Sequence, residues 1–402
     1  MRNRWVETTL GEVTAVNPGR LNGVSPDEVI RYVDISSVSW DGGIDVRSVA
    51  AMPFGQAPGR ARRPINEKDV VVSTVRPRLR AMGQVPPSLA GQVASTGLCV
   101  LRSHDPQVIL PDYVWQVVRH QPFTDWLVER ETGSNYPAVR SSDIEAYRFL
   151  LPPIEEQRRI VDLMSHVDTT LAADRSESVA LAKCASSLRA DTFSHPEGPR
   201  LVGDVYQITT GKQLQSSNTT GECFEYVRAG NIGEGGVLDL AVMKSMYFSS
   251  QEIDRLALCA GDVLIVEGGN GFGKSAIWPG SDQVTGYQNH VLRVRSTSEQ
   301  YPPELAYQWS RWCHENGLFK PTGTGIPSLG LRRVKAMPVP GNSPQLMEAV
   351  RTLTTIEQAL DARRQAAERC ERLRSAFLAA LVSGGHSIPV SYDEFIRDEG
   401  AA

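Results

Sequence analysis

Leu151-Pro152-Pro153-Ile154-Glu155-Glu156-Gln157-Arg158-Arg159-Ile160-Val161-Asp162-Leu163-Met164 is where the chain changes its hydrophobic rhythm. Proline cannot continue a helix but is tolerated at its start, so the pair marks a boundary. Beyond it, apolar residues step by three and four through Ile160, Met164, Val167, Leu171, Leu181, Ala185 and Leu188. This is the spacing of a coiled-coil seam, and it predicts a helix over Gln157–Thr192, about 54 Å long at about 1.5 Å per residue. After Pro338-Val339-Pro340 a second seam runs through Leu346, Ala349, Leu353, Ile356, Leu360, Ala367, Cys370, Arg374, Phe377 and Leu381. Two such helices most simply pack on each other, antiparallel. Both seams turn polar near their midpoints, at Asp174 and Ser178 and at Arg363, so Asp174 and Arg363 are expected to meet and set the register.

The segments before the two seams repeat each other at an offset of about 190 residues. Leu10-Gly11-Glu12-Val13 returns as Val202-Gly203-Asp204-Val205, and Tyr32-Val33 with Gly42-Gly43 returns as Tyr226-Val227 with Gly235-Gly236. Asp69-Val70-Val71-Val72 returns as Asp262-Val263-Leu264-Ile265. Val100-Leu101-Arg102 returns as Val291-Leu292-Arg293, and Thr132-Gly133-Ser134 with Pro137 returns as Thr322-Gly323-Thr324 with Pro327. A duplicated unit is the simplest source of so constant an offset. The expected fold is α+β: two mixed α/β globular domains related by duplication and separated by two long helices packed as an antiparallel coiled coil.

Composition sets the outer bounds. The chain has 402 residues, a net charge of −4, and hydrophobic and charged fractions of 41% and 22%, those of an ordinary globular protein. No stretch approaches a membrane span, and the start of the chain has no apolar signal core, which leads to the expectation of a cytoplasmic location. The six cysteines form no C-x-x-C pair, against structural zinc. The histidines lack metal-ligand spacing, and neither a nucleophile elbow nor a catalytic cluster is present.

One motif suggests an enzyme. Gly268, Gly273, Lys274 and Ser275 fit the phosphate-binding pattern G-x-x-x-x-G-K-[ST]. Such a cradle needs a strand before it and a helix after it, because its N–H groups sit at a helix N-terminus. Asp262–Glu267 supplies the strand. Ala276-Ile277-Trp278 followed by Pro279-Gly280 cannot supply the helix, so the expectation is a glycine-rich turn between two strands. The repeat supports this: the matching stretch, Ser73–Arg80, has no glycine.

Local charge is more telling than net charge. Between Arg60 and Arg80 stand seven basic residues (Arg60, Arg62, Arg63, Lys68, Arg76, Arg78, Arg80) against Glu67 and Asp69. The alternation of Arg76, Arg78 and Arg80 would place all three on one side of an extended segment. Arginine is shaped for bidentate contact with guanine edges and phosphates, so these residues, with Thr74, Asn135 and Tyr136, are DNA-binding candidates. The second repeat offers a less basic set: Asn270, Lys274, Gln288, Asn289, Thr322, Thr324, Arg332 and Arg333. A coiled-coil scaffold that never touches DNA is the bland alternative.

Leu150–Val161, the tandem repeats, the Gly261–Ile265 strand with its glycine-rich turn and Lys274-Ser275-Ala276-Ile277, and the Thr-Gly-Ser/Thr segments together resemble the specificity subunit of type I restriction-modification enzymes. The resemblance spans about residues 5–384. It implies target recognition domains at 1–153 and 196–340, spacer helices at 154–195 and 341–384, and an acidic tail at 385–402 outside the repeat. It implies a non-catalytic reader of an interrupted double-stranded DNA target, one domain per half-site. It further implies contact with methyltransferase subunits, expected to be two, through Glu156, Gln157, Arg158 and Arg159, and with restriction subunits where present. S-adenosylmethionine would belong to the methyltransferase, ATP and Mg to the restriction subunit, and no cofactor or metal to this chain. The second junction, Met337–Gln345, lacks the Glu-Glu-Gln-Arg signature of the first.

Overall fold

A computed structural model describes residues 5–21, 23–39, 43–195, 197–214, 220–269, 271–320 and 328–395. The chain forms two compact units, each discontinuous in sequence: residues 1–174 with 366–402, and residues 175–365. Each therefore holds one globular domain, one half of the first long helix and one half of the second.

The long helices are Ile154–Ser194 and Pro344–Val382, of 41 and 39 residues. The first starts directly after Pro152-Pro153, with Glu155 and Glu156 in its first turn, where the helix dipole favours carboxylates. The second has Pro344 in its first turn, and Ser343 Oγ accepts a hydrogen bond from the Leu346 N–H at 3.2 Å. In the first unit, Ile160 and Met164 of the first helix share a core with Leu378, Leu381 and Val382 of the second. In the second unit, Ala185 and Phe193 pack with Leu346, Val350 and Leu353. The beginning of each helix thus lies beside the end of the other, the antiparallel arrangement the seams predict. Two seam positions depart from that reading: Cys370 is exposed and Phe377 is 36% exposed, while Leu378 is buried instead. Toward their ends the helices also cover a globular domain, so burial follows that third surface rather than the heptad alone. Arg363 Nη2 reaches Glu177 Oε2 at 2.8 Å inside the second unit.

Both globular domains have the same plan. In the first, strands Thr14–Val16, Leu98–Ser103, Val70–Ser73 and Met82–Gln84 lie side by side in that order. In the second, the order is Tyr206–Thr210, Val291–Ser296, Val263–Val266 and Ser275–Ile277. The central strand is apolar throughout because both faces are covered. Val70 and Val72 face the core shared with the long helices and Val71 the opposite core, as Val263 and Ile265 oppose Leu264 and Val266. A second sheet pairs Val29–Val33 antiparallel with Ala50–Pro53 and parallel with Gln92–Ser95; its counterpart pairs Glu222–Val227 with Lys244–Phe248 and Thr285–Tyr287. Among the described residues only the first domain adds a fourth strand, Ala61–Ile65, which carries Arg62 and Arg63.

The ladders correct one repeat assignment. Leu101 stands opposite Val70, and Val294 opposite Val263, so Val100-Leu101-Arg102 corresponds to Arg293-Val294-Arg295, two residues beyond the sequence match. A slip of two keeps every side chain on its face, which is why the shorter match also looked regular. Arg102 grips Asp69 through two bonds of 2.8 and 2.7 Å, and Arg295 grips Asp262 through two of 2.6 Å. Gly42, Asn270, Thr322, Gly323, Thr324 and Pro327 lie outside the described residues.

Candidate nucleic-acid interface

In each domain the central strand leads into a short turn and returns as the neighbouring strand. The two turns are equal in length. Val72 pairs with Met82 and Ile265 with Ser275, and the Ser73 N–H bonds Ala81 O as the Val266 N–H bonds Lys274 O. A following loop is clipped onto each turn in the same way, by a bridge between Val75 and Ala138 in one and Gly268 and Ser328 in the other. The backbone matches at its left-handed positions. Arg76 and Arg80 are left-handed at φ 49° and 52°, and their counterparts Gly269 and Gly273 are at 84° and 81°. Lys68 and Gly261, in the preceding turn, form a third such pair at 64° and 88°.

Ser275 begins a strand antiparallel to Val263–Val266, so no helix N-terminus faces the Gly268–Ser275 turn. Lys274 Nζ is paired with Glu234 Oε1 at 2.8 Å, and this hydrogen bond holds the Glu234 carboxyl below its ordinary value. The phosphate-cradle reading fails for want of the helix.

The arginines of the first turn are not on one side of an extended segment. Pro77 starts a 3-10 turn over Pro77–Leu79 and fans them apart. Arg80 is half-buried; Nη2 donates to Arg119 O at 2.5 Å and Nη1 to Gln121 Oε1, and burial pulls its pKa down. Arg78 is exposed and Nε donates to Glu131 Oε2 at 2.9 Å. Arg76 is exposed, and its guanidinium lies over the ring of Tyr136 at 5.3 Å. Tyr136 is 73% exposed, beside the exposed Asn135, on the loop clipped to the turn. The other candidates have partners. Arg60 bonds Asp34 and Tyr32, Arg62 bonds Gly59 O and stacks on Phe54, and Lys68 bonds Asp112. Arg63 reaches Thr96 O at 3.4 Å, and burial lowers its pKa; Thr74 Oγ1 donates to Gly97 O.

The second turn offers different chemistry. Glu267 takes the place of Thr74, and burial pushes its carboxyl above the ordinary value. Gln288 and Asn289 are half-buried, and their backbones pair with Val227 and Lys212. Arg333 donates to Lys320 O at 2.7 Å, and Arg332 is exposed on the same short helix. Among the described residues no group of His, Cys, Asp and Glu is arranged to hold a metal, and no helix is long and apolar enough to cross a membrane.

The junction residues are largely turned inward. Gln157 is fully buried: Oε1 accepts from the Leu110 N–H, and Nε2 donates to Val108 O and Pro152 O, all at 2.9 Å. Glu156 accepts from the Ile388 N–H at 3.0 Å and pairs with Arg159, whose Nε and Nη2 also reach Asp393 at 2.6 and 2.9 Å. Tyr392 Oη donates to Asp162 at 2.8 Å. The tail, to which no role could be given from sequence, thus folds back onto the start of the first long helix, and of the four junction residues only Arg158 is exposed. Sequence reading also missed how each domain is fastened to the helices. Arg119 and Arg374 share Asp168 in the first unit; Arg189 and Arg311 share Glu315 and Glu357 in the second.

Residues 61–181, which contain the first turn, its clipped loop and the junction, match the family model of the type I restriction modification DNA specificity domain. This chain carries a type I restriction modification DNA specificity domain. Likeness of fold to solved structures extends over nearly the whole chain. A chain from a study of complex assembly and conformational transition of the type I R-M system aligns over 94% of this chain and 98% of that one, at 23% identity and TM-score 0.59. The S subunit from M. genitalium aligns over 95% and 96% at 15% identity and TM-score 0.53. The HsdS subunit from Thermoanaerobacter tengcongensis aligns over 96% and 98% at 25% identity and TM-score 0.43. No curated relative matches the chain.

Proposed function

We propose that the chain is the specificity subunit of a type I restriction-modification system, that it reads an interrupted double-stranded DNA target, one half-site per globular domain, and that it seats the subunits that methylate it. One observation carries this reading: a duplicated backbone frame presents two turns of equal length, left-handed at matching positions, whose side chains have diverged, Thr-Val-Arg-Pro-Arg-Leu-Arg against Glu-Gly-Gly-Asn-Gly-Phe-Gly. Reading surfaces need to differ where a scaffold does not. The segments 1–153 and 196–340 are the target recognition domains and the helices of 154–195 and 341–384 are the spacer, with Asp174 and Arg363 as its register pair.

Two methyltransferase subunits dock on the helices and transfer a methyl group from S-adenosylmethionine to adenine N6. Restriction subunits, where present, bring ATP and Mg; the specificity subunit takes no cofactor of its own, and the complex works in the cytoplasm. Because Glu156, Gln157 and Arg159 are turned toward their own chain, docking falls to Arg158 and to the exposed Leu373 and Phe377. The test is to co-express the chain with the methyltransferase encoded beside it and map N6-methyladenine at single-base resolution. The expected result is an interrupted motif that appears only when both are present. A stable complex that adds no methylation, or no complex at all, would overturn the proposal.

A further inference from the structure

Seven basic residues crowd the Arg60–Arg80 strip, and among the described residues six of them are already engaged. Arg60, Arg78 and Lys68 pair with carboxylates, Arg62 and Arg63 donate to backbone carbonyls, and Arg80 donates to a carbonyl and a side-chain amide. Arg76 is different. No hydrogen-bond acceptor meets its guanidinium among the described residues, and it lies instead over the face of Tyr136.

That contact is held firmly from behind. The Arg76 N–H bonds Pro137 O at 2.7 Å, the Val139 N–H bonds Thr74 O at 2.9 Å, and Thr132 and Ala138 bond each other in both directions. Gly133, at φ 93°, turns the loop so tightly that a Cβ there would meet Tyr136 O at 3.1 Å. A planar guanidinium resting on an aromatic face keeps all five N–H donors pointing outward, with little side-chain freedom left to lose on binding. Phosphate contact does not need such bracing. Bidentate pairing with guanine O6 and N7 does, because both bonds form only in one plane.

The backbone points the same way. Arg76 occupies a left-handed position that strains an L-residue, while its counterpart in the second domain is Gly269, which adopts it freely. We infer that Arg76, braced on Tyr136, reads a guanine in the half-site of the first domain, and that Gly269 leaves the equivalent step of the other half-site without a side-chain reader. The inference rests on the half-site reading proposed above and assigns one base of it.

Three variants test it in the co-expressed complex, with the methylated motif as readout. Arg76→Gly installs the residue the second domain uses, so the turn keeps its conformation and its thermal midpoint stays at or above wild type. Preference for one guanine in one half-site then falls about 10- to 100-fold, with every other position unchanged. Arg76→Lys keeps the charge but not the fork, and gives the same relaxation. Gly269→Arg, at a site where an added Cβ meets nothing within 4 Å, introduces a new guanine preference in the opposite half-site. A uniform loss across all sequences that Arg76→Lys restores would mark Arg76 as a phosphate contact and overturn the inference, as would an unchanged motif in Arg76→Gly. A wild-type complex that gives no two-part motif fails before any substitution is made, and so identifies the half-site reading itself as wrong.

Discussion

The turns at 74–80 and 267–273 are equal in length and left-handed at matching positions, with nearly opposite compositions. In the second domain the left-handed positions are Gly269 and Gly273, and the path costs little. In the first they are Arg76 and Arg80, and the cost is borne by the contacts around them: the clipped loop at Arg76, and Gln121 with Arg119 O at Arg80. The frame therefore does not depend on the glycines. It is imposed by the strand pair and by the loop bridged to it, which leaves the turn's side chains free to diverge.

The fastening of the domains gives the strongest way to break this comparison. Arg189 is buried between Glu315, Glu357 and Gln308. Arg189→Ala removes the buried cation and its packing, leaving the partly exposed Glu315 and Glu357 to Arg311 alone, and is expected to lower stability by about 2–4 kcal/mol, read by thermal or urea unfolding. Arg374→Ala in the first unit should cost less, since Asp168 is one-third exposed and keeps Arg119. Equal losses would mean that the two fastenings are equivalent despite their different burial.

The left-handed positions come next. A Cβ on Gly273 would lie 2.6 Å from His314 Nδ1 with φ at +81°, so Gly273→Ala should cost about 1–3 kcal/mol. Arg80→Gly exchanges the lost hydrogen bonds for a relaxed backbone, and its unfolding midpoint should barely move. The tail offers a third comparison, because only the first unit has one. Asp393→Ala removes two charge-assisted bonds from the largely buried Arg159 and should cost about 1.5–3 kcal/mol. Protease cleavage after residue 385 should speed up in the same variant.

The smallest effect is on pH. His120 is buried, neither ring nitrogen has a hydrogen-bond partner among the described residues, and burial, then the nearby Arg80, lowers its pKa below the ordinary 6.5. The unfolded chain therefore binds more protons than the folded one below about pH 6.5, and stability falls as pH drops through that range. His120→Leu should flatten the acid limb by less than about 1 kcal/mol in unfolding measured between pH 5 and 7.

The repeat and the two long helices are legible in the sequence because heptad spacing, proline pairs and apolar strands are local, periodic signals. The glycine-rich turn was also legible, since Pro279-Gly280 forbids the helix a phosphate cradle needs. The fan of Arg76, Arg78 and Arg80 was misread as a stripe, although Pro77 in its middle is a turn signal. Two other features had no such signal: the Arg76–Tyr136 contact joins residues sixty positions apart, and the inward turn of Glu156, Gln157 and Arg159 depends on a tail more than two hundred residues downstream.

Sequence alone thus determined the frame, because burial periodicity is written in neighbouring residues and survives duplication. Tertiary structure decided which charges are spent and which are left to act, because a guanidinium takes its role from the acceptors that folding brings to it. In the Arg60–Arg80 strip that difference separates six anchored cations from Arg76.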